Sequence, residues 1–206
     1  MHKIGIIDYG VGNIGSIQNM INRIGGESFV VNNHKQVEAA DKLILPGVGH
    51  FDYGVSRLEE QNLFDSIVYY AKQIQRPILG ICLGAQLMTR SSEEGTKLGL
   101  NLFDADVLHF SKLSTLSGIR IPHMSWSYVD FVKESNLTNN LPEKSKFYFV
   151  HSYFINSYSK EDILCTAKYG NSFVAGLQKD NLTALQFHPE KSHKFGMSLL
   201  NSFLSI

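Results

Sequence analysis

The sequence predicts an α/β fold, with a central, mostly parallel sheet flanked by helices and extended by antiparallel strands. Two observations predict it. In the first half, short apolar runs alternate with segments of helical periodicity. In the second half, β-rich segments follow one another closely, with only turn residues between them. Neither a Pro/Gly/Ser-rich linker nor an internal repeat divides the halves, so the 206 residues are read as one domain, 1–206.

The elements follow in order. Lys3–Ile7 reads as a strand. Residues 15–24 place Ile17, Met20, Ile21 and Ile24 at helical spacing. Residues 28–31 form a second strand, and residues 42–45 a third that Pro46-Gly47 stops. Residues 55–75 look helical, residues 78–82 form a fourth strand, and residues 85–89 begin another helix. Strands joined through helices imply right-handed crossovers and parallel pairing. Residues 105–110, 127–132, 147–154, 162–168, 173–178 and 183–187 are the β-rich segments, and residues 192–204 form a closing amphipathic helix.

Composition narrows the function. Nineteen basic residues balance nineteen acidic ones, which leaves no electrostatic footprint for nucleic acid or an anionic membrane and points to a small molecule or a protein partner. The apolar opening ends at Asp8, too soon for a signal peptide, and no run approaches the roughly 18 apolar residues of a membrane span. Two cysteines, Cys82 and Cys165, make neither a disulfide framework nor a metal cluster and suit a reducing cytoplasm. The histidines show no zinc spacing, so no metal and no cofactor is expected.

Four motifs carry chemistry. Gly10-Val11-Gly12-Asn13-Ile14-Gly15 fits the glycine pattern of dinucleotide loops. The strand that should then end in an acidic, ribose-binding residue ends in Asn32-Asn33 instead, so a simple tight turn competes with a nucleotide-binding sensor. Gly80-Ile81-Cys82-Leu83-Gly84, between a strand and a helix, has the form of a nucleophile elbow with cysteine in place of serine. The glycines would allow a sharp turn lifting Cys82 out of the sheet, beside a helix N-terminus that favours thiolate, with the Leu83 N–H as an oxyanion donor. A buried structural cysteine is the alternative. In Phe187-His188-Pro189-Glu190, residues two apart point the same way, so Glu190 can hold one ring nitrogen of His188 and leave the other as a base. Pro46-Gly47-Val48-Gly49 can expose backbone N–H groups of Val48 and Gly49 as further oxyanion donors, or can be a surface turn. Cys165 has no elbow and no adjacent base.

Together Gly80 to Gln86, Pro46 to Gly49 and Phe187 to Glu190 resemble the class I (triad) glutamine amidotransferases. Asp8 to Asn13, Ser92 to Gly95, Pro122-His123-Met124, Tyr148 to Tyr153 and Lys191-Ser192 resemble more narrowly the HisH-type glutaminase subunits, and the likeness covers essentially the whole chain. It implies that Cys82 attacks the amide of L-glutamine, that His188 relays the proton to ammonia and that Glu190 orients His188. It further implies that Val48, Gly49 and Leu83 form the oxyanion hole. Gln86 and Glu94 would hold the glutamine head group, with the main chain of His151, Ser152 and Tyr153 at the amino-acid end and Gly49 at the pocket wall. Ammonia would pass to a separate synthase chain, docked on a face that includes Asn13, Trp126 and Lys191. Ser125, Ser127 and Gly15 depart from the family pattern of glycine, asparagine and arginine, and they fall on that docking face. Two partners are therefore open: a HisF-type cyclase of histidine biosynthesis, or a sugar amidotransferase of surface-polysaccharide biosynthesis.

Overall fold

The computed structural model describes residues 3–113 and 120–206. Its strands form a 12-stranded sheet whose main path runs β2-β1-β3-β4-β12-β11-β10-β7-β8. The parallel block is β2 (Glu27–Val31), β1 (Lys3–Ile7), β3 (Lys42–Leu45), β4 (Ile78–Ile81) and β12 (Leu182–Leu185). The extension is antiparallel: β11 (Asn171–Lys179), β10 (Ile163–Tyr169), β7 (His123–Phe131) and β8 (Ser145–His151). β5 (Ser91–Ser92), β6 (Ala105–His109) and β9 (Tyr153–Ser157) branch from β11.

The parallel strands were readable because helices cover both faces, which demands unbroken apolar runs. Ile4, Ile6, Ile44, Leu79 and Ile81 pack against Ile17 and Ile21 of α1 (Ile14–Arg23) and Leu199, Leu200 and Phe203 of α6 (His193–Ser205). On the other face Ile7, Val31, Leu43 and Leu45 meet Val37 of α2 (His34–Ala39), Phe51, Val55 and Leu58 of α3 (Phe51–Glu60), Ile67 of α4 (Phe64–Tyr69) and Leu87 of α5 (Leu83–Leu87).

The structure differs from the sequence expectation in several places, among them β7, which begins at His123 and not at residue 127. The helix expected over residues 55–75 starts earlier, at Phe51, where the His50 ring accepts from the Asp52 N–H at 3.2 Å. It then breaks, because Asn62 turns left-handed at φ 55° and seats the buried Leu63; asparagine tolerates that conformation. α2 escaped the pattern because it is 6 residues long with a single buried residue, Val37. Residues 147–154 are two strands, separated at Ser152.

The Gly10 to Gly15 loop packs as a turn. A Cβ on Gly12 would meet the Pro46 ring at 3.2 Å, and Gly12 takes φ +122°. Asn33, at the position where a ribose-binding acid would be sought, caps α2 by accepting from the Gln36 N–H at 3.1 Å. No helix among the described residues is long and apolar enough to cross a membrane.

Candidate active site

The carboxyl ends of β3, β4 and β12 lie side by side, the usual place for a site in an open α/β sheet. β3 runs into Pro46 to Gly49, β4 into Cys82, and β12 into Gln186 to His188. The elbow is real, but its strain sits on the cysteine itself: Cys82 has φ 53° and ψ −111°, and neither flanking glycine has positive φ. Gly84 is needed for close approach, since a Cβ there would lie 1.8 Å from the Leu45 carbonyl oxygen. Gly80 likewise faces the Met88 sulfur and the Ala85 backbone.

Cys82 is 7% exposed and opens into a cavity of about 350 Å³. Val48, Gly49, Leu83, Gln86, Glu94, His151, Ser152 and Tyr153 line the same cavity, so the structure brings these expected residues together. Pro122 and Val150 join them. His188 and Glu190 sit behind the thiol, their side chains 2% and 3% exposed, with His188 Nδ1 2.7 Å from Glu190 Oε1. Held by a carboxylate that can only accept, Nδ1 carries the proton. Nε2 is buried without a partner in full hydrogen-bonding geometry and is left for the thiol. Burial alone would lower the pKa of His188. The hydrogen bonds and negative charge of Cys82 and Glu190 outweigh burial and raise it to about 10.

The remaining contacts qualify the expectations. The Leu83 N–H donates to the Gly47 carbonyl at 3.3 Å, so the expected oxyanion donor is occupied in this conformation. Glu94 Oε2 accepts from the Phe51 N–H at 2.8 Å, which fixes that carboxylate at the start of α3. Gln86 uses its amide NH2 on the Tyr153 carbonyl (3.3 Å) and on Gln186 Oε1 (3.0 Å), leaving its own oxygen free for a ligand.

At the rim, Trp126 is 36% exposed and stacks on the His193 ring at 5.3 Å. Lys191 lies over the Tyr148 ring, which also meets Trp126 edge-on. Asn13 caps α1 through the Ser16 N–H at 3.2 Å, and α1 packs on the turn that carries Lys191. The segment from Pro122 to Ser127 is two-sided: Met124 and Trp126 face outward, whereas His123 is fully buried and bonds His151.

Three inner residues were not singled out from the sequence. His123 lies in the motif Pro122-His123-Met124, but strand alternation turns its side chain inward, away from the face that carries Trp126. Gln186 is fully buried beside Cys82, and it shares the two-residue spacing that linked His188 to Glu190. Tyr9, also fully buried, donates to the Pro46 carbonyl at 2.7 Å and so pins the start of the loop that carries Val48 and Gly49. Burial, and then the charge of Cys82, push its phenol far up. Among the described residues, no group of three or more His, Cys, Asp or Glu side chains is arranged to hold a metal.

A strained cysteine elbow, a carboxylate-held histidine behind it and a polar cavity in front, on an α/β sheet, are an arrangement that acyl transfer can use. The chain belongs to the class I glutamine amidotransferases: the family model described as "Glutamine amidotransferase class-I" matches residues 5–205. It is 49% identical over 201 residues to the protein named imidazole glycerol phosphate synthase subunit HisH 2 of Methanococcus maripaludis, covering 98% of each chain. It is 41% identical to the HisH 2 subunit of Pseudomonas aeruginosa, covering 98% of this chain and 99% of that one. Among solved structures it resembles PurLQS from Thermotoga maritima with a TM-score of 0.77 at 18% identity, covering 100% of this chain and 99% of that one. At that identity the likeness is one of fold.

Proposed function

We propose that this chain is the glutaminase subunit of an imidazole glycerol phosphate synthase, hydrolysing L-glutamine and passing ammonia to a HisF-type cyclase in cytoplasmic histidine biosynthesis. The observation that carries the chemistry is the pairing of His188 with Glu190 at 2.7 Å behind the strained Cys82 elbow. The Cys82 sulfur attacks the side-chain amide carbon, and the carbonyl electrons move onto oxygen. His188 gives its Nε2 proton to the departing ammonia as the thioester forms. It then takes a proton from the water that attacks the thioester, and glutamate and free thiol result. Glu190 keeps the ring oriented and stabilises its charged form. Backbone N–H groups of Leu83, Val48 and Gly49 serve the oxyanion, with Gln86, Glu94 and the 151–153 main chain at the rest of the substrate.

The Leu83 N–H becomes available only when the Gly47 carbonyl moves away, so hydrolysis by the free subunit is slow and docking of the synthase chain speeds it. Trp126, Lys191 and the Asn13 loop form the docking face, with Trp126 as its aromatic anchor. Ser125 and Ser127, expected on the docking face, instead point inward and bond His123 Nε2 at 2.9 Å each, because strand alternation puts them on the side opposite Met124 and Trp126. A sugar amidotransferase stays the second reading of the partner through Gly15 alone, which departs from the family pattern on the α1 side of the face.

The test of the chemistry is covalent labelling. A glutamine-mimicking electrophile adds one label, on Cys82, and Cys82→Ala abolishes ammonia release. A label on Cys165, buried and with its thiol pushed up by burial, overturns the assignment. The partner is tested by adding a HisF-type cyclase with its ribonucleotide substrate. Stimulated glutamate formation supports the cyclase; stimulation only by a sugar amidotransferase supports the second reading.

A further inference from the structure

The Tyr153 carbonyl oxygen accepts two hydrogen bonds, from His151 Nδ1 at 2.6 Å and from Gln86 Nε2 at 3.3 Å. A carbonyl only accepts, so it fixes the polarity of everything linked to it. On one side His151 holds its proton on Nδ1, and its bare Nε2 must accept from His123 Nδ1 at 3.0 Å. His123 is then bare at Nε2, which accepts from the hydroxyl of Ser125 or Ser127, each at 2.9 Å. Burial holds both rings neutral, lowering His123 to about 4 and His151 to about 3, which keeps this polarity through the neutral range.

On the other side Gln86 must turn its NH2 toward Tyr153, and the same NH2 reaches Gln186 Oε1 at 3.0 Å. That bond commits the Gln186 oxygen as an acceptor. Its remaining polar group, the NH2, therefore points at the Cys82 sulfur, 3.9 Å away. The contact is long for a thiol and shortens when the sulfur carries charge, because charge-assisted bonds are shorter and stronger. Gln186 is fully buried, so the donor has no water to compete with.

We propose that Gln186 is a further catalytic residue of this site: its side-chain amide donates to the Cys82 sulfur and stabilises the attacking thiolate. Gln86 and the Tyr153 carbonyl act as positioning groups that prevent the amide from turning its oxygen to the sulfur. The inference rests on the reading of Cys82 as the nucleophile.

The test follows alkylation of Cys82 in the full chain by iodoacetamide, a neutral reagent, read by peptide mass spectrometry across pH 5 to 10. Gln186→Met keeps the volume and removes the donor. Its labelling curve is expected to move up by about one pH unit, with a rate on the rising limb of the wild-type curve roughly tenfold lower, the effect of one hydrogen bond to a charged group. His188 and Tyr9, the titratable groups acting on the thiol, are untouched in this variant. Displacement of Cys82 from His188 would also move the curve, so the comparison is repeated in a His188→Asn background, where the shift on Gln186→Met is expected to persist. Its loss there would show that Cys82 had only been displaced from His188 and would overturn the proposal. A second variant, Gln86→Met, leaves Gln186 in place but frees its oxygen, so the amide can turn; it is expected to show a smaller displacement of the same sign. It also carries the test if Gln186→Met does not fold. Curves for folded variants that coincide with wild type, or that fall without moving, overturn the proposal. If wild-type chain is labelled on Cys165 and not on Cys82, the nucleophile reading itself fails, which is a separate outcome.

Discussion

Exchanging Cys82 for glycine and for alanine separates the strain of the elbow from its chemistry. The Cys82 torsions, φ 53° and ψ −111°, lie outside the left-handed well open to ordinary residues, which centres on positive ψ. The surroundings hold them there: the Cys82 N–H donates to the Leu185 carbonyl at 2.8 Å, and the Cys82 carbonyl accepts from the Gln86 N–H at 3.1 Å. Strain of this kind costs about 1–3 kcal/mol for a residue with a Cβ. Cys82→Ala keeps the Cβ and the strain. Cys82→Gly releases it, but loses about 0.5–1 kcal/mol in backbone entropy and about 0.8 kcal/mol from the missing methyl. With the strain at about 2 kcal/mol, the glycine variant is expected to be more stable than the alanine variant by about 0.5 kcal/mol. At an unstrained buried site the same exchange costs about 1.5 kcal/mol. Urea unfolding of the two variants reads the difference directly. In thermal melts the contrast between the two cases is roughly 4–8 °C for a chain of this length. Neither variant releases ammonia from glutamine. A glycine variant less stable than the alanine variant by about 1.5 kcal/mol would show that the elbow stores no strain.

Three further predictions follow from the site and its rim. Glu190→Gln is expected to keep the fold and glutamine binding with slower turnover, losing less activity than Cys82→Ala because nucleophile, base and oxyanion donors remain; kcat and KM measured separately decide this, and a deeper loss than in Cys82→Ala would contradict it. The pKa of His188 is raised in the folded chain, so its contribution to stability is complete below the ordinary value near 6.5 and is lost as pH rises through about 10. Melting temperatures across that window should therefore fall more steeply for wild type than for His188→Asn, and parallel slopes would refute the charged pair. Trp126→Ala, at a position 36% exposed, is expected to change the stability of the isolated chain by no more than about 1 kcal/mol while weakening synthase binding about tenfold or more, by calorimetry of the mixed subunits; a marked loss of stability in the isolated chain would place Trp126 in the core instead.

The sequence alone determined the parallel block and which segments meet at its carboxyl edge. β1, β3, β4 and β12 are buried on both faces and read as apolar runs whatever their neighbours. Glu190 does meet His188, but not by the alternation of an extended chain: Pro189–Lys191 is a 3-10 turn capped by His188, and that turn brings the carboxylate back to the ring. Tertiary structure decided matters that depend on groups far apart in sequence. The glycines around Cys82 suggested a turn, but it took the Leu45 carbonyl, packed against Gly84 and 39 residues earlier, to show that they serve close approach while the cysteine bears the strain. The break at Asn62 depends on where the buried Leu63 must sit, which no local periodicity encodes. Gln186 and His123 were in plain view within recognised motifs. Their hydrogen bonds run to Gln86 and His151, on other strands and helices, and meet at the single carbonyl of Tyr153. Periodicity reports which face a residue occupies; the direction of a buried hydrogen bond is set by the partner that folding brings to it.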